Sequence, residues 1–381
     1  MANIFDYLKW RGDILFNQVE INDVDSLILC RLSYIEFDNI VPEFGIEKAI
    51  PLSQAVKSYL KLVTQGKTTP LQNEDIEFLK ELMISPRFKD KLLYNYVNKI
   101  DADKQLQFSA VTIQLEKDTT YIAFRGTDNT LIGWKEDINM GFLPSVPAQL
   151  EAVEYLKNIS ATTAGRLYVG GHSKGGNLAV YSSSYIDKAT QDRIVFVYNN
   201  DGPGFNDGVI KSTGYARIIN KIKTFVPQSS VVGMLLGHEE KYKVIHSSNS
   251  GIMQHDLYSW DVLGNSFCLL ENVDNSSKFI DKTLKEWVSN MSITQREQFF
   301  DALFQIISST KATTMKELRT NWFENTGVLL KTIKNTNEET KRLISKTLFI
   351  LFTSAKNSLP EIVNNAGKDN IGIVIQKSKT Y

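Results

Sequence analysis

One serine in this sequence has the neighbours that a nucleophile needs. Gly171, Ser173 and Gly175 form the pattern Gly-x-Ser-x-Gly, in a segment that reads Leu-Tyr-Val-Gly-Gly-His-Ser-Lys-Gly-Gly-Asn-Leu-Ala from Leu167. The apolar run before the pattern predicts a strand, and the residues from Asn177 onward predict a helix. A serine on a sharp strand-to-helix turn exposes its hydroxyl, and the two glycines avoid collisions with the adjacent strand and helix. The alternative is a Gly-rich turn that only packs.

A serine hydroxyl needs a histidine to take its proton and an acid to orient that histidine. The chain contains four histidines. His172 adjoins the serine, where its side chain cannot easily turn back to the hydroxyl. Of the others, His238 resembles a turn residue and His246 a strand-end residue. We predict His255 as the base, because it follows the last strand of the predicted sheet. A nucleophile on a strand-to-helix turn normally receives its histidine from that position.

The acid is open between several carboxylates. The strand predicted over residues 222–226 leads into Pro227-Gln-Ser-Ser-Val, which contains no carboxylate. The preceding strand ends near Asp201, and a triad acid can come from there because only its contact with the histidine ring matters. Asn-Asp-Gly is also a common turn sequence. We predict Asp201, with Glu239, Asp256 or a dyad supported by serine or water as alternatives.

An oxyanion hole needs two N–H donors. The first would be the backbone of Lys174, directly after the serine. The second would come from the loop Phe124-Arg-Gly-Thr-Asp, in which Thr127 offers a backbone N–H and a hydroxyl. The alternative is a plain turn with Arg125 in a structural ion pair.

The elements that must position these residues are strands alternating with helices. Residues 108–246 alternate in this way, which predicts a mostly parallel sheet with helices on both faces. We therefore predict an α/β core over residues 101–275, preceded by a helical N-terminal segment (1–100) and followed by a helical C-terminal extension (276–381). An amphipathic stretch from Arg296 is interpreted as a helix packed on the protein, with a lid or lipid-surface role as the alternative.

Composition narrows the possible partners and the compartment. Lys plus Arg and Asp plus Glu both number 43 in 381 residues, which gives no support for a nucleic-acid partner. Cys30 and Cys268 lack metal-ligand spacing and are interpreted as free thiols of a reducing compartment. No secretory signal and no stretch long enough to cross a bilayer is recognised. We predict a cytoplasmic protein without metal or cofactor; peripheral membrane contact and the oligomeric state stay open.

Two segments together resemble a known enzyme family. Ala123-Phe-Arg-Gly-Thr127, followed by Trp134 and Asp137, and the segment Gly170-Gly-His-Ser-Lys-Gly-Gly-Asn-Leu-Ala179 are similar to the class 3 (fungal-type) lipases of the α/β-hydrolase fold. This resemblance covers about residues 105–260. The whole chain, including Tyr7-Leu-Lys-Trp-Arg-Gly12 and Met253-Gln-His-Asp-Leu-Tyr-Ser-Trp260, resembles the bacterial Mbeg1-like proteins, a lipase-related family also known as DUF2974.

The lipase resemblance implies that Ser173 is the nucleophile, that Thr127 and Lys174 donate to the oxyanion, and that a downstream histidine is the base. The chain departs from the lipase pattern at two places. Lys174 replaces an apolar residue, and its charge would bias the site towards anionic substrates. The lipase acid, an Asp just before a Val-Pro segment, has no match at Val226-Pro-Gln-Ser.

These residues predict a serine hydrolase that cleaves an acyl ester of a small molecule or lipid through an acyl-enzyme. An acyltransferase or thioesterase would use the same site. A hydrolase-like binding or regulatory protein with a decayed triad is the contrasting hypothesis. The missing acid motif favours decay, whereas the intact serine pattern and the second donor segment favour an enzyme.

Overall fold

A computed structural model describes most of the chain. The described residues are 1–45, 48–68, 72–128, 130–140, 143–292, 294–296, 298, 299, 301, 302, 338, 340–347, 349 and 350.

The centre of the molecule is a nine-stranded mixed sheet. Its strands are Ile50–Pro51 (β1), Leu92–Asp101 (β2), Leu106–Glu116 (β3), Thr119–Phe124 (β4), Arg166–His172 (β5), Ile194–Asn200 (β6), Ile222–Pro227 (β7), Tyr242–Ile245 (β8) and Leu269–Leu270 (β11). Val262–Leu263 (β9) and Ser266–Phe267 (β10) form a separate pair. The spatial order is β1-β2-β3-β4-β5-β6-β7-β8-β11. Strands β4 to β8 pair in parallel, and the remaining neighbours are antiparallel.

Helices cover both faces of this sheet. They are Ile4–Arg11 (α1), Asp23–Leu32 (α2), Leu52–Thr64 (α3), Asn73–Ile84 (α4), Leu131–Asn139 (α5), Pro147–Thr162 (α6), Lys174–Tyr185 (α7), Lys188–Arg193 (α8), Asp207–Ile210 (α9), Thr213–Ile218 (α10) and Asn275–Ser289 (α11). One apolar cluster joins the N-terminal helices α1 to α4 to the sheet, and another joins α6, α7 and α10 to it. A strand covered on both faces is apolar nearly throughout, and every residue of β4 is buried.

The N-terminal segment is held by polar as well as apolar contacts. A capping box at Asn22 begins α2, whose N3 residue is Asp25. The Asp25 carboxylate is fully buried 2.5 Å from the Arg87 guanidinium and accepts a hydrogen bond from the Tyr7 hydroxyl at 2.8 Å. A buried carboxylate is tolerated only with such partners. They connect α1, α2 and the segment after α4.

The coarse prediction for the core is confirmed: the molecule is a mixed α/β protein with a large sheet whose central strands are parallel. Strands β3 and β4 pair antiparallel as consecutive elements of the chain. The mainly helical description of residues 1–100 misses β1 and β2, because pairing of β2 with β3, and of β1 with β2, overrides a weak local pattern.

The structure describes only part of the region predicted as a helical C-terminal extension. Helix α11 begins where helical spacing was expected to resume. The amphipathic stretch from Arg296 lies largely outside the described residues, as does most of the predicted C-terminal extension after residue 302. The boundaries at residues 100 and 275 stay predictions. Within the part of the chain that is described, no helix is long and apolar enough to cross a membrane.

Candidate active site

Ser173 lies at the sharp turn between the end of β5 and the start of α7. Its backbone has φ 58° and ψ −134°, in the region that favours glycine. A serine in this conformation is strained by about 1–3 kcal/mol and persists only where its surroundings impose it. The Ser173 N–H donates to the Asn200 carbonyl at 2.9 Å, which fixes the turn against the end of β6.

The two glycines of the pattern are required by close backbone contacts. A Cβ at Gly171 would lie 2.1 Å from the carbonyl carbon of Gly175, and a Cβ at Gly175 would lie 2.2 Å from the Phe124 carbonyl oxygen. The first contact is with the incoming helix and the second with the end of β4. The strand-turn-helix context predicted for Ser173 is therefore present, together with the steric reason for its glycines.

His255 and Asp201 form a hydrogen-bonded pair beside this turn. His255 Nδ1 lies 2.6 Å from Asp201 Oδ2. Asp201 directly follows Asn200, the residue that accepts the Ser173 N–H. On the other side, the His255 ring centroid is 4.5 Å from that of His172, which precedes the serine. His255 thus contacts the residue before Ser173, and Asp201 follows the residue that bonds the Ser173 N–H.

The Asp201 carboxylate is held by donors on its second oxygen as well. Asp201 Oδ1 accepts from the Ser230 hydroxyl at 2.5 Å and from the Gly233 N–H at 3.1 Å. The Asp201 side chain is 1 % exposed, whereas that of His255 is 28 % exposed. An ionised carboxylate bonded to His Nδ1–H leaves Nε2 as the proton acceptor. The pair can therefore orient His255 as a base, with Nε2 as the proton acceptor.

The other two downstream histidines also have carboxylate partners. His246 Nδ1 lies 2.5 Å from Asp261, and His238 Nδ1 lies 2.9 Å from Glu240. Glu240 also accepts hydrogen bonds from Tyr215 and Thr224. Burial raises the pKa of Glu240, but His238, followed by these two hydrogen bonds, lowers it to about 2. A carboxylate partner alone therefore does not single out His255; its position beside the serine turn does.

The loop after β4 lies against the same turn. A Cβ at Gly126 would lie 3.0 Å from Ser173 Cβ and 2.6 Å from the His172 carbonyl oxygen. Thr127 is next in the chain, and its hydroxyl donates to Asp137 of α5. That hydroxyl is therefore engaged, which leaves the backbone N–H of Thr127 as its donor for a substrate.

The Lys174 side chain turns away from solvent into a buried polar cluster. Its Nζ donates to Glu136 at 2.9 Å and to the side-chain and carbonyl oxygens of Gln107 at 2.6 and 2.9 Å. Lys174 is 1 % exposed, and the Glu136 side chain is fully buried. The Glu136 carboxylate neutralises this cation, which removes the reason for the expected bias towards anionic substrates.

The sequence analysis missed several residues that build the site. The segment after β7 has no carboxylate that could serve as the acid. It supplies Ser230, whose hydroxyl donates to the Asp201 carboxylate. Glu136 and Tyr34 were missed because their partners are distant in sequence. The Tyr34 hydroxyl oxygen lies 3.1 Å from His172 Nδ1. The described residues include no group of three or more His, Cys, Asp or Glu side chains arranged to hold a metal ion.

Comparison with known proteins places the chain in one family. The family model described as Mbeg1-like matches residues 82–305, which confirms that resemblance. No protein with a curated description matches the chain. Among solved structures, that titled "Crystal structure of M37 lipase" is 13 % identical, covers 55 % of this chain and 70 % of its own, and has a TM-score of 0.36.

Proposed function

We propose that this chain, which belongs to the Mbeg1-like family, is a serine hydrolase that cleaves acyl esters. One observation carries the proposal: a strained serine at φ 58° has the His255–Asp201 pair beside it. Strain of this kind is retained where it serves a site. The strand-turn-helix placement of Ser173 also supports an α/β-hydrolase fold, as the resemblance to class 3 lipases implies.

In the proposed reaction, Ser173 Oγ attacks the acyl carbonyl while His255 Nε2 takes its proton. Asp201 holds the Nδ1–H of His255 and stabilises the imidazolium that forms. The negative oxygen of the tetrahedral intermediate is bound by the backbone N–H groups of Thr127 and Lys174. His255 then returns the proton to the leaving alcohol, and water releases the acyl group from the serine.

The substrate is proposed to be a neutral acyl ester of a small molecule or a lipid. The Glu136 carboxylate neutralises Lys174, so no free cation from that residue is available to bind an anionic group. Acyl transfer to another acceptor and thioester cleavage would use the same residues. Cytoplasmic location stays a prediction.

Labelling with a fluorophosphonate probe tests the proposal. We expect the wild-type protein to be labelled covalently, the Ser173→Ala variant not to be labelled, and mass spectrometry to locate the adduct on Ser173. p-Nitrophenyl esters of increasing chain length would then identify the preferred acyl group. A folded wild-type protein without Ser173-dependent labelling would contradict the hydrolase proposal and favour a binding protein with a decayed triad.

A further inference from the structure

We infer that Tyr34 and His172 are positioning residues that hold the His255 main chain and the Gly126 loop in place against Ser173. This inference rests on the proposed function, in which His255 is the base. Neither side chain is assigned contact with the reacting atoms. His172 acts through its hydrogen bond to the His255 carbonyl. Tyr34 acts through its hydrogen bonds to His172 and its contact with the Gly126 loop.

The hydrogen bonds of His172 define one protonation state. His172 Nε2 lies 2.9 Å from the His255 carbonyl oxygen. Since a carbonyl oxygen only accepts, Nε2 carries the proton. Burial, followed by the effect of the His255 charge, lowers the pKa of His172 well below its usual value, so the ring is neutral. His172 Nδ1 is therefore an acceptor, and the Tyr34 hydroxyl lies 3.1 Å from it.

The same hydroxyl lies between the serine turn and the loop after β4. The Tyr34 hydroxyl is 3.1 Å from the His172 carbonyl oxygen. A Cβ at Gly126 would lie 2.2 Å from that hydroxyl, so the loop passes directly over it. Tyr34 thus contacts the turn that presents the nucleophile and the loop that leads to Thr127.

A second contact fixes Tyr34 and the His255 segment to the same helix. Arg31 lies in the last turn of α2. Its guanidinium carbon is 5.0 Å from the ring centroid of Tyr34 and 5.1 Å from that of Tyr258. Arg31 Nε also donates to the Tyr258 hydroxyl at 3.1 Å and to Asp75 at 3.0 Å. Tyr258 is three residues after His255. Helix α2 therefore contacts both Tyr34 and the segment that follows His255.

The test compares two tyrosine variants that each lose a buried hydroxyl. Tyr34→Phe keeps the ring and removes the hydrogen bond to His172. Tyr7→Phe is the matched control, because its hydroxyl bonds Asp25 in the same N-terminal layer and has no role in the proposed reaction. We expect Tyr34→Phe to slow fluorophosphonate labelling of Ser173 about tenfold or more, since small displacements of reacting groups cost factors of this order. Tyr7→Phe should stay within about twofold of wild type whatever its loss of stability.

A second pair of variants tests His172. His172→Leu removes the donor to the His255 carbonyl, whereas the amide N–H of His172→Gln can reach the same oxygen. We expect slow labelling with leucine and recovery of most of the rate with glutamine. Equal rates in Tyr34→Phe and wild type, or equal slowing by Tyr7→Phe, would overturn the inference.

An NMR readout separates this inference from the proposed function. The imidazole Nδ1–H proton of His255, assigned by its loss in His255→Ala, should shift or broaden in Tyr34→Phe and stay unchanged in Tyr7→Phe. If wild type is not labelled but this signal responds, the hydrolase proposal fails and the positioning role stands. If wild type is labelled and the signal is the same in all three proteins, the positioning role fails alone.

Discussion

At the scale of single residues, Ser173 has a strained backbone conformation that a glycine could adopt without strain. Ser173 adopts a positive φ directly after the end of β5. The proposed function accounts for this strain, because it uses the hydroxyl that glycine lacks.

We predict that Ser173→Gly is more stable than Ser173→Ala by about 1 kcal/mol. Both variants lack the nucleophile, but alanine keeps the strain of about 1–3 kcal/mol that glycine relieves, and the greater freedom of glycine in the unfolded chain offsets part of the gain. Urea unfolding followed by circular dichroism measures the difference. Equal stability, or a more stable alanine variant, would show that the turn is not strained.

The two histidine–aspartate pairs allow a sharper prediction about the acid. Asp201→Asn should slow labelling of Ser173 by about three to four orders of magnitude, because an amide no longer fixes the histidine tautomer or stabilises the imidazolium. Asp261→Asn changes the equivalent partner of His246 and should leave the rate close to wild type. Comparable losses in both variants would refute the assignment of His255 and Asp201.

Residue patterns predicted the parts of the site that are local in sequence. Gly-x-Ser-x-Gly and its flanking elements specify the strained turn, since neighbouring residues produce it. The partner of His255 remained open because the choice between Asp201 and its alternatives depends on which loops meet in space. The role of Tyr34 could not be predicted for the same reason, because it lies 138 positions from His172 in the sequence.

At the scale of elements, helix α5 is attached to the start of α7 by buried charge. Lys174 begins α7, and its Nζ reaches Glu136 of α5 as well as Gln107 of β3. This contact also lies next to Thr127, whose hydroxyl bonds Asp137 on the same helix. The loop that would supply the oxyanion donor is thus held by α5.

We predict that Lys174→Met destabilises the protein by about 3–5 kcal/mol, because it leaves the Glu136 carboxylate buried without its cation. The double variant Lys174→Met/Glu136→Gln should recover much of this loss, since it removes the uncompensated charge. Urea unfolding of the two single variants and the double variant gives the coupling energy. Additive losses would mean that the pair does not act as a unit.

Asp137, next to Glu136 on α5, makes the stability of the folded protein depend on pH. Burial raises the pKa of Asp137 to about 6, although the Lys174 charge and the Thr127 hydrogen bond oppose the shift. Between pH of about 4 and about 6 the folded protein therefore binds a proton that the unfolded chain has released, and this contribution to stability is lost as pH rises through that window. Asp137→Asn should gain stability relative to wild type over the same window and show no further relative change above it.

Thermal unfolding of both proteins from pH about 4 to pH about 8 measures this difference. A constant offset between the two melting temperatures would contradict the raised pKa. Glu136→Gln is a useful comparison, because it removes a carboxylate from the same helix and leaves Asp137 to titrate.

At the scale of the whole molecule, the N-terminal helices belong to the same core as the sheet. One apolar cluster contains Leu27 and Ile28 of α2 together with Trp260, which follows the His255 segment. Cys30 of α2 is fully buried, and its sulfur lies 3.1 Å from the Tyr121 hydroxyl of β4. Such an arrangement favours a single cooperative unit over a detachable appendage.

We therefore predict that the N-terminal layer and the candidate site are lost together on unfolding. The thiol of Cys30, studied in a Cys268→Ala background, becomes reactive only when α2 leaves the sheet. In increasing urea, its modification should begin at the same concentration at which fluorophosphonate labelling of Ser173 disappears. Asp25→Asn, which leaves the Arg87 guanidinium buried without its partner, should move both midpoints down together by an amount equivalent to about 3–5 kcal/mol. Exposure of Cys30 at a urea concentration at which Ser173 still reacts at its full rate would show that the N-terminal helices unfold independently, and that the site does not depend on them.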